Sequence, residues 1–357
     1  MATFNTEKLK GMVALVIQGA GFNKLLELSG YIGIKVQNGV LYLNTTDGTN
    51  YMRVSDSCSA NDFDVTVDAE LFSKLIGKFN SDTVDMDIVD DNLVINGNGK
   101  YTLGVKPNET GAALSFPDKF PNVPAEVIGT ITFQDLVTIS TAIKASLSSN
   151  AGSLYADYYV GDVVASTDKV MISRYAKKLL DANYMLNRQF VDLMCLGNSD
   201  VTVSKADNML IADISLSEDS SIQICTPILD TVSEFNVEGI NKFADLDVKS
   251  FCRFKKVQML DLLDRLALFV NKFDDGAVTL HFTEDYIEVS SLANSGIERV
   301  EITEFKNAED ISIKINIERL RNQLKAYGAD IVDMYYGSDV CIKLVDGDIS
   351  QVIALIK

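Results

Sequence analysis

Apolar residues recur at helical spacing in short stretches that return about every 125 residues along the chain, opening near Thr6, Thr132 and Lys256. Leu9, Met12, Val13, Val16 and Ile17 form one stripe, and Met259, Leu262, Leu263, Leu266 and Val270 repeat it. Between them, Phe133, Leu136, Val137 and Ser140 share a face. A second helix is predicted in each unit, opening near Asp68, Leu186 and Ile317. Its stripes are Leu71, Phe72, Leu75, Ile76 and Phe79; then Phe190, Leu193, Met194 and Gly197, with Asn187 as N-cap; then Ile317, Leu320, Leu324 and Tyr327, with Gly328 as C-cap.

Alternating segments between the helices read as strands: 40–43, 84–89, 201–203, 278–282 and 340–344. Turn signals at Asn38-Gly39, Asp90-Asp91-Asn92 and Asp346-Gly347 favour antiparallel meanders over parallel crossovers. The expected fold class is α+β, with three repeated domains, each of two helices packed on antiparallel sheet. Pro107, Pro117, Pro121 and Pro124 mark a semi-rigid first linker, and hydrophobic periodicity weakens between Asp230 and Asp247. The expected domains are therefore 1–124, 125–246 and 247–357.

Five scattered cysteines without paired spacing point to reduced structural thiols in a cytoplasmic protein. No apolar run approaches membrane-spanning length, and no secretory signal pattern opens the chain. The net charge of −18 argues at first against a nucleic-acid partner. Its distribution changes that picture. Acidic residues crowd predicted strands and turns (Asp82, Asp85, Asp87, Asp90, Asp91), while basic ones gather on or beside the helices. Lys74 with Lys78, and Arg321 with Lys325, are four apart and share a helix face.

Enzymatic readings lack components. His281 is the only histidine and sits in an alternating strand, so serine or cysteine triads and multi-histidine metal sites have no second member. Gly97-Asn98-Gly99-Lys100-Tyr101 fails as a phosphate loop, because Val94 stands where the first glycine belongs and Tyr101 replaces Ser or Thr. A hairpin turn is expected there. Gly19-Ala20-Gly21 follows a helix rather than a strand and fails the dinucleotide fingerprint. Asp85 and Asp87 share a strand face, which leaves a Mg²⁺-dependent hydrolase as one rival reading; a DNA-independent acidic scaffold that binds proteins is another. The expectation is no enzyme, no cofactor and no metal.

Read end to end, the chain resembles the bacterial DNA polymerase III beta subunit, the DNA sliding clamp. The resemblance is carried by Leu41-Tyr42-Leu43-Asn44-Thr45-Thr46-Asp47-Gly48 with Tyr51-Met52-Arg53-Val54, by Phe120-Pro121-Asn122-Val123, and by Val164-Ala165-Ser166-Thr167-Asp168. Ile315-Asn316-Ile317 and the terminal 351–357 segment match in position and pattern. It implies a head-to-tail homodimer in which two chains close a ring around duplex DNA, held topologically and without base readout, and tether the replicative polymerase. A clamp-loader ATPase is the further implied partner; no membrane is involved.

The implied DNA-facing residues are Lys8, Lys10, Lys74, Lys78, Arg265, Lys272, Arg319, Arg321 and Lys325, and Leu268 and Phe269 are implied at the dimer contact. A pocket for partner peptides is implied at Thr167, Val170, Ile172, Ile353, Leu355 and Ile356. Two departures stand out. Lys169-Val170-Met171-Ile172 replaces the family's usual Gly-His-Arg-Leu, and Ile353-Ala354-Leu355-Ile356-Lys357 replaces its Met-Pro-Met-Arg-Leu ending. A clamp this divergent fits a phage or mobile-element replisome.

Overall fold

The computed structural model describes residues 2–23, 25–270, 275–292, 295–307 and 310–357. One order of elements occurs three times. In the first repeat β1 (Ala2–Asn5) leads into α1 (Thr6–Val16), β2 (Tyr31–Gln37), β3 (Val40–Thr46), β4 (Tyr51–Ser57) and β5 (Phe63–Asp68). Then come α2 (Ala69–Ile76), β6 (Thr83–Val89), β7 (Asn92–Asn96) and β8 (Lys100–Gly104). The second repeat runs β9 (Glu126–Ile131), α3 (Phe133–Thr138), β10 (Tyr158–Val160), β11 (Val164–Thr167), β12 (Met171–Tyr175) and β13 (Tyr184–Leu186). It closes with α4 (Arg188–Met194), β14 (Val201–Ala206), β15 (Met209–Ser215) and β16 (Ser220–Pro227). After an additional helix, α5 (Val237–Ala244), the third repeat runs β17 (Ser250–Lys255), α6 (Lys256–Leu266), β18 (Ala277–Phe282), β19 (Tyr286–Ser291), β20 (Ile297–Lys306) and β21 (Ile311–Asn316). It ends with α7 (Ile317–Ala326), β22 (Ile331–Tyr336), β23 (Cys341–Asp346) and β24 (Ile349–Ala354).

Every strand pairing in the three sheets is antiparallel, as the turn chemistry predicts. Asn38-Gly39 and Asp90-Asp91 all take positive φ, the conformation that lets a two-residue hairpin match the twist of its strands. One sheet is ordered β1-β6-β7-β8, the second β5-β2-β3-β4-β16-β15-β14-β9, and the third β13-β10-β11-β12-β24-β23-β22-β17-β20-β19-β18-β21. The chain forms two compact units, Met1–Leu136 with Gln189–Ile228 and Val137–Arg188 with Leu229–Lys357. Residues of the expected middle domain, 125–246, contribute to both.

A single junction rule operates within each unit. The fourth strand of one repeat pairs with the eighth strand of the next: β4 with β16, from Asp56↔Ser220 to Tyr51↔Cys225, and β12 with β24, from Met171↔Ile353 to Tyr175↔Ile349. Two strands of these classes are left over. The outer side of β8, the eighth strand of the first repeat, has no paired strand among the described residues, and neither does the side of Ile297–Glu301 that faces away from β19 in β20, the fourth strand of the third repeat.

Helix starts recur as a sequence device. Asn5, Asp68 and Asn316 each accept a hydrogen bond from the backbone N–H three residues on, at 3.0, 2.7 and 2.9 Å. Helix stripes pack as read, with Leu9, Met12, Val13 and Val16 buried on α1 and Met259, Leu262, Leu263 and Leu266 on α6. Three helix expectations differ. In the second repeat α3 ends at Thr138; Leu136 is buried, but Phe133 is exposed and Val137 and Ser140 are only half-buried. On α2, Phe72 and Ile76 face the core with Phe79 beyond them, while Leu71 turns outward. Gly328 does not take a left-handed cap conformation; Tyr327 ends α7 in extended geometry and donates its N–H to Leu324 O.

The proline-rich linker is held by side chains docked on the first unit. Phe116 fills the space over Gly33 of β2, where an added Cβ would come within 2.2 Å of the Phe116 Cβ. Farther on, Phe120 lies under the Arg53 guanidinium at 4.3 Å, and Arg53 pairs with Asp118 at 2.9 Å. Gly33→Ala is therefore expected to expel Phe116 and lower the unfolding free energy by about 2–3 kcal/mol, measured by urea denaturation. Unchanged stability would show that the linker docks elsewhere.

Candidate functional site

Most of the basic helix residues singled out from sequence already hold a carboxylate. Lys8 pairs with the buried Asp56 at 2.7 Å and Lys10 with Glu7 at 2.8 Å, while Lys74 pairs with Glu70 one turn back. Arg321 bridges Asp264 at 2.6 Å and Glu318 at 3.0 Å. Arg265 grips Glu298 with two nitrogens, a hydrogen-bonded contact that holds the Glu298 carboxyl below its ordinary range. Lys78, Arg319 and Lys325 have no carboxylate partner among the described residues. These are the cations most available to an external phosphate. Lys272 lies outside the described residues.

A groove opens beside the β12–β24 junction, with a volume of about 270 Å³. Of the residues expected there, Val170, Ile172 and Leu355 line it. The others do not. Ile353 is fully buried, its side chain in the core formed by the third repeat. Thr167, the last residue of β11, is buried, its hydroxyl donating to Met171 O at 2.6 Å across the following turn. Ile356 is partly buried off the groove, and its N–H donates to Lys314 O at 2.9 Å. In their place stand Val352 and Ala354, which flank Ile353 on the opposite face of the strand, with Lys169, Val340, Cys341, Lys357 and Phe243.

Phe243 comes from α5, which the sequence reading passed over as weakly periodic linker. Asn236 caps this helix by accepting from Gly239 N at 2.9 Å, and Ile240 and Ala244 are its buried face. Its C-terminal end is tied down by charge. Lys343 donates to Ala244 O at 3.3 Å and Leu246 O at 2.9 Å, and Arg174 clasps Asp245 at 2.6 and 2.9 Å. The Arg174 hydrogen bonds hold the Asp245 carboxyl below its usual range, and burial lowers the Lys343 ammonium. Phe243, 40% exposed, is left projecting at the groove. The available signal was the Asn236-to-Ala244 pattern of cap, Ile240 and Ala244. Burial pushes the Cys341 thiol up, so it offers the groove little thiolate.

Leu268 and Phe269 are 82% and 53% exposed just past the end of α6, and Phe269 lies over Gly296, beside the half-open stretch of β20. Of the residues weighed for catalysis, His281 Nδ1 meets Ser312 Oγ at 3.0 Å on the surface of the β18–β21 pair. Asp85 accepts from Thr3 Oγ1 at 2.5 Å, and Asp87 Oδ1 accepts from Ile88 N at 3.1 Å. Gly97–Gly99 forms the β7–β8 hairpin turn, with Gly97 N donating to Gly99 O at 3.0 Å. No cluster of three His, Cys, Asp or Glu suited to a metal occurs among the described residues, and no helix there is long and apolar enough to cross a membrane.

No protein-family model matches the chain, and no curated protein does. Solved structures do. DNA polymerase III subunit beta of Borrelia burgdorferi superposes with a TM-score of 0.83 at 15% identity, covering 100% of this chain and 99% of that one. The DNA polymerase sliding clamp of Pseudomonas aeruginosa gives 0.82 at 15% identity over the same shares. The beta subunit from DNA polymerase of Streptococcus pyogenes gives 0.81 at 16% identity, over 99% of each chain. From end to end, the chain has the fold of the DNA polymerase III beta-subunit sliding clamps.

Proposed function

We propose that the protein is a DNA sliding clamp, built of clamp domains 1–124, 125–246 and 247–357, that closes as a head-to-tail homodimer and tethers a DNA polymerase. The observation that carries this reading is the junction rule. Each fourth strand inside the chain is joined to the eighth strand of the following repeat, and β20 and β8 are the fourth and eighth strands left open. Pairing β20 of one chain with β8 of the next repeats the same contact between copies and leaves no junction strand unmatched. Leu268 and Phe269 then bury beside that seam. The groove at Val170, Ile172, Phe243 and Leu355 is the place for polymerase or loader segments.

Such a ring holds DNA by enclosure, so its phosphate contacts have to be few and exchangeable. The ion pairs on α1, α2, α6 and α7 serve that end by leaving Lys78, Arg319 and Lys325 as the free cations of that basic helix set. Loaded protein is expected to stay on nicked circular DNA and to run off when the circle is cut. Charge reversal of Lys78, Arg319 and Lys325 together removes six such cations from a two-chain ring; it is expected to lower DNA association at least tenfold at low salt and to flatten the log–log salt slope by up to about 5. Retention that is indifferent to linearisation would overturn the clamp reading; an unchanged salt slope would move the DNA contact off these residues.

A further inference from the structure

The turn joining β3 to β4 and the turn joining β11 to β12 are one turn made twice. In the first, Thr46 Oγ1 donates to Asn50 O at 2.7 Å and accepts from Gly48 N at 3.0 Å, while Asp47 Oδ1 accepts from Thr49 N and Asn50 N at 2.8 and 2.7 Å. In the second, Thr167 Oγ1 donates to Met171 O at 2.6 Å and accepts from Lys169 N at 2.9 Å. Asp168 Oδ1 accepts from Val170 N and Met171 N at 2.9 and 2.6 Å. The third residue of each turn has positive φ, 98° at Gly48 and 79° at Lys169. Glycine takes that conformation freely, whereas a Cβ makes it strained. One repeat thus meets the demand with glycine and the other carries a lysine against it, so turn geometry gives no reason for the lysine.

Its surroundings do. Lys169 lines the groove together with Val170, Ile172, Phe243, Val352 and Leu355, and its ammonium stands 5.0 Å from the centre of the Tyr155 ring. That ring holds the cation beside a surface whose other lining side chains are apolar or a thiol, apart from Lys357 at its end. No Asp or Glu lines the groove: Asp168 is engaged by its own turn, and Asp339 lies by Cys341 without reaching the lining. In a chain of net charge −18 this is a local reversal of sign. Strain retained at such a position points to recognition.

We propose that Lys169 is a specificity residue of this groove, selecting partner segments that place a carboxylate next to large apolar anchors. The inference rests on the groove being the partner site. A fluorescent hexapeptide panel carrying two large apolar residues, each peptide made with Asp or with Asn at one flanking position, tests both on the intact full-length protein. The unaltered protein is expected to bind the best Asp peptide about tenfold more tightly than its Asn twin, with the ratio shrinking at high salt. In Lys169→Gln, which keeps the strained backbone, and Lys169→Gly, which relieves it and holds or raises Tm, the twins are expected to bind alike. Equal binding of the twins by the unaltered protein, or a preference surviving in Lys169→Gln, overturns the role of Lys169 and leaves the groove standing. Failure of every peptide to bind overturns the groove as partner site and this inference with it.

Discussion

Replacing Leu268 and Phe269 with glutamate is expected to leave a folded protein that no longer forms dimers. Both side chains are mostly exposed in the single chain, so neither supports its core. Burying two large apolar side chains at an interface contributes roughly 3–6 kcal/mol, and placing carboxylates there adds a desolvation cost. The dissociation constant is therefore expected to rise by at least two to four orders of magnitude, while Tm measured on the monomer barely moves. Thr102→Pro on the open side of β8 approaches the same seam from its other half, because proline removes a backbone donor from the edge to be paired. Light scattering across a concentration series reads both variants. A wild-type monomer at every concentration, or a double-glutamate protein with dimer mass, would remove the proposed ring.

Removing Ile353–Lys357 is expected to destabilise the second unit severely. From sequence, that segment reads equally as the wall of a pocket, whose loss would spare the dimer, and as a final edge strand completing the third domain's sheet. In the structure Ile353 has no exposed surface, pairs across to Met171 on one side and Ile342 on the other, and packs in the cluster that contains Leu324, Met334 and Leu344. Losing a buried isoleucine costs about 2–5 kcal/mol, and the lost ladder bonds of β24 add to it. The truncated protein is expected to unfold at clearly lower denaturant concentration and to lose polymerase binding only as a consequence. Phe243→Ala with Leu355→Ala separates the two effects. Both residues face the groove and are not fully buried, so the unfolding free energy should fall by about 1 kcal/mol or less while an anchor-bearing peptide loses about 2 kcal/mol of affinity. A truncated protein with wild-type stability, or a double alanine variant that binds normally, would contradict this division of roles.

Much was legible in the residues themselves. The helices α1, α6 and α7 declare themselves because stripes such as Leu9, Met12, Val13 and Val16 report burial at the helical period, and Asn5, Asp68 and Asn316 announce where helices start. Paired positive-φ residues at Asn38-Gly39 and Asp90-Asp91 likewise fix antiparallel hairpins locally. The repeat, the α+β class and the weakness of histidine chemistry follow from such short-range signals.

Facing was the part that only tertiary structure decided. Val352, Ile353, Ala354 and Leu355 form a run without polar alternation, and in a strand a one-residue change of phase exchanges core for groove, so no local signal assigns Ile353 inward and Val352 to the groove. The cap and period of the short helix α5 mark it locally, but its C-terminal end is tied down by Lys343 and Arg174, which lie far from it in sequence, so the placing of Phe243 at the groove was not legible. Which cations are free is also long-range, since Arg265 is matched by Glu298 and Lys8 by Asp56 across loops and strands. The open edges of β8 and β20 and the positive φ of Lys169 belong to the same class. Amphipathic period and turn chemistry act over a few residues, whereas strand partner, facing and charge pairing are settled by segments that meet only once the chain has folded.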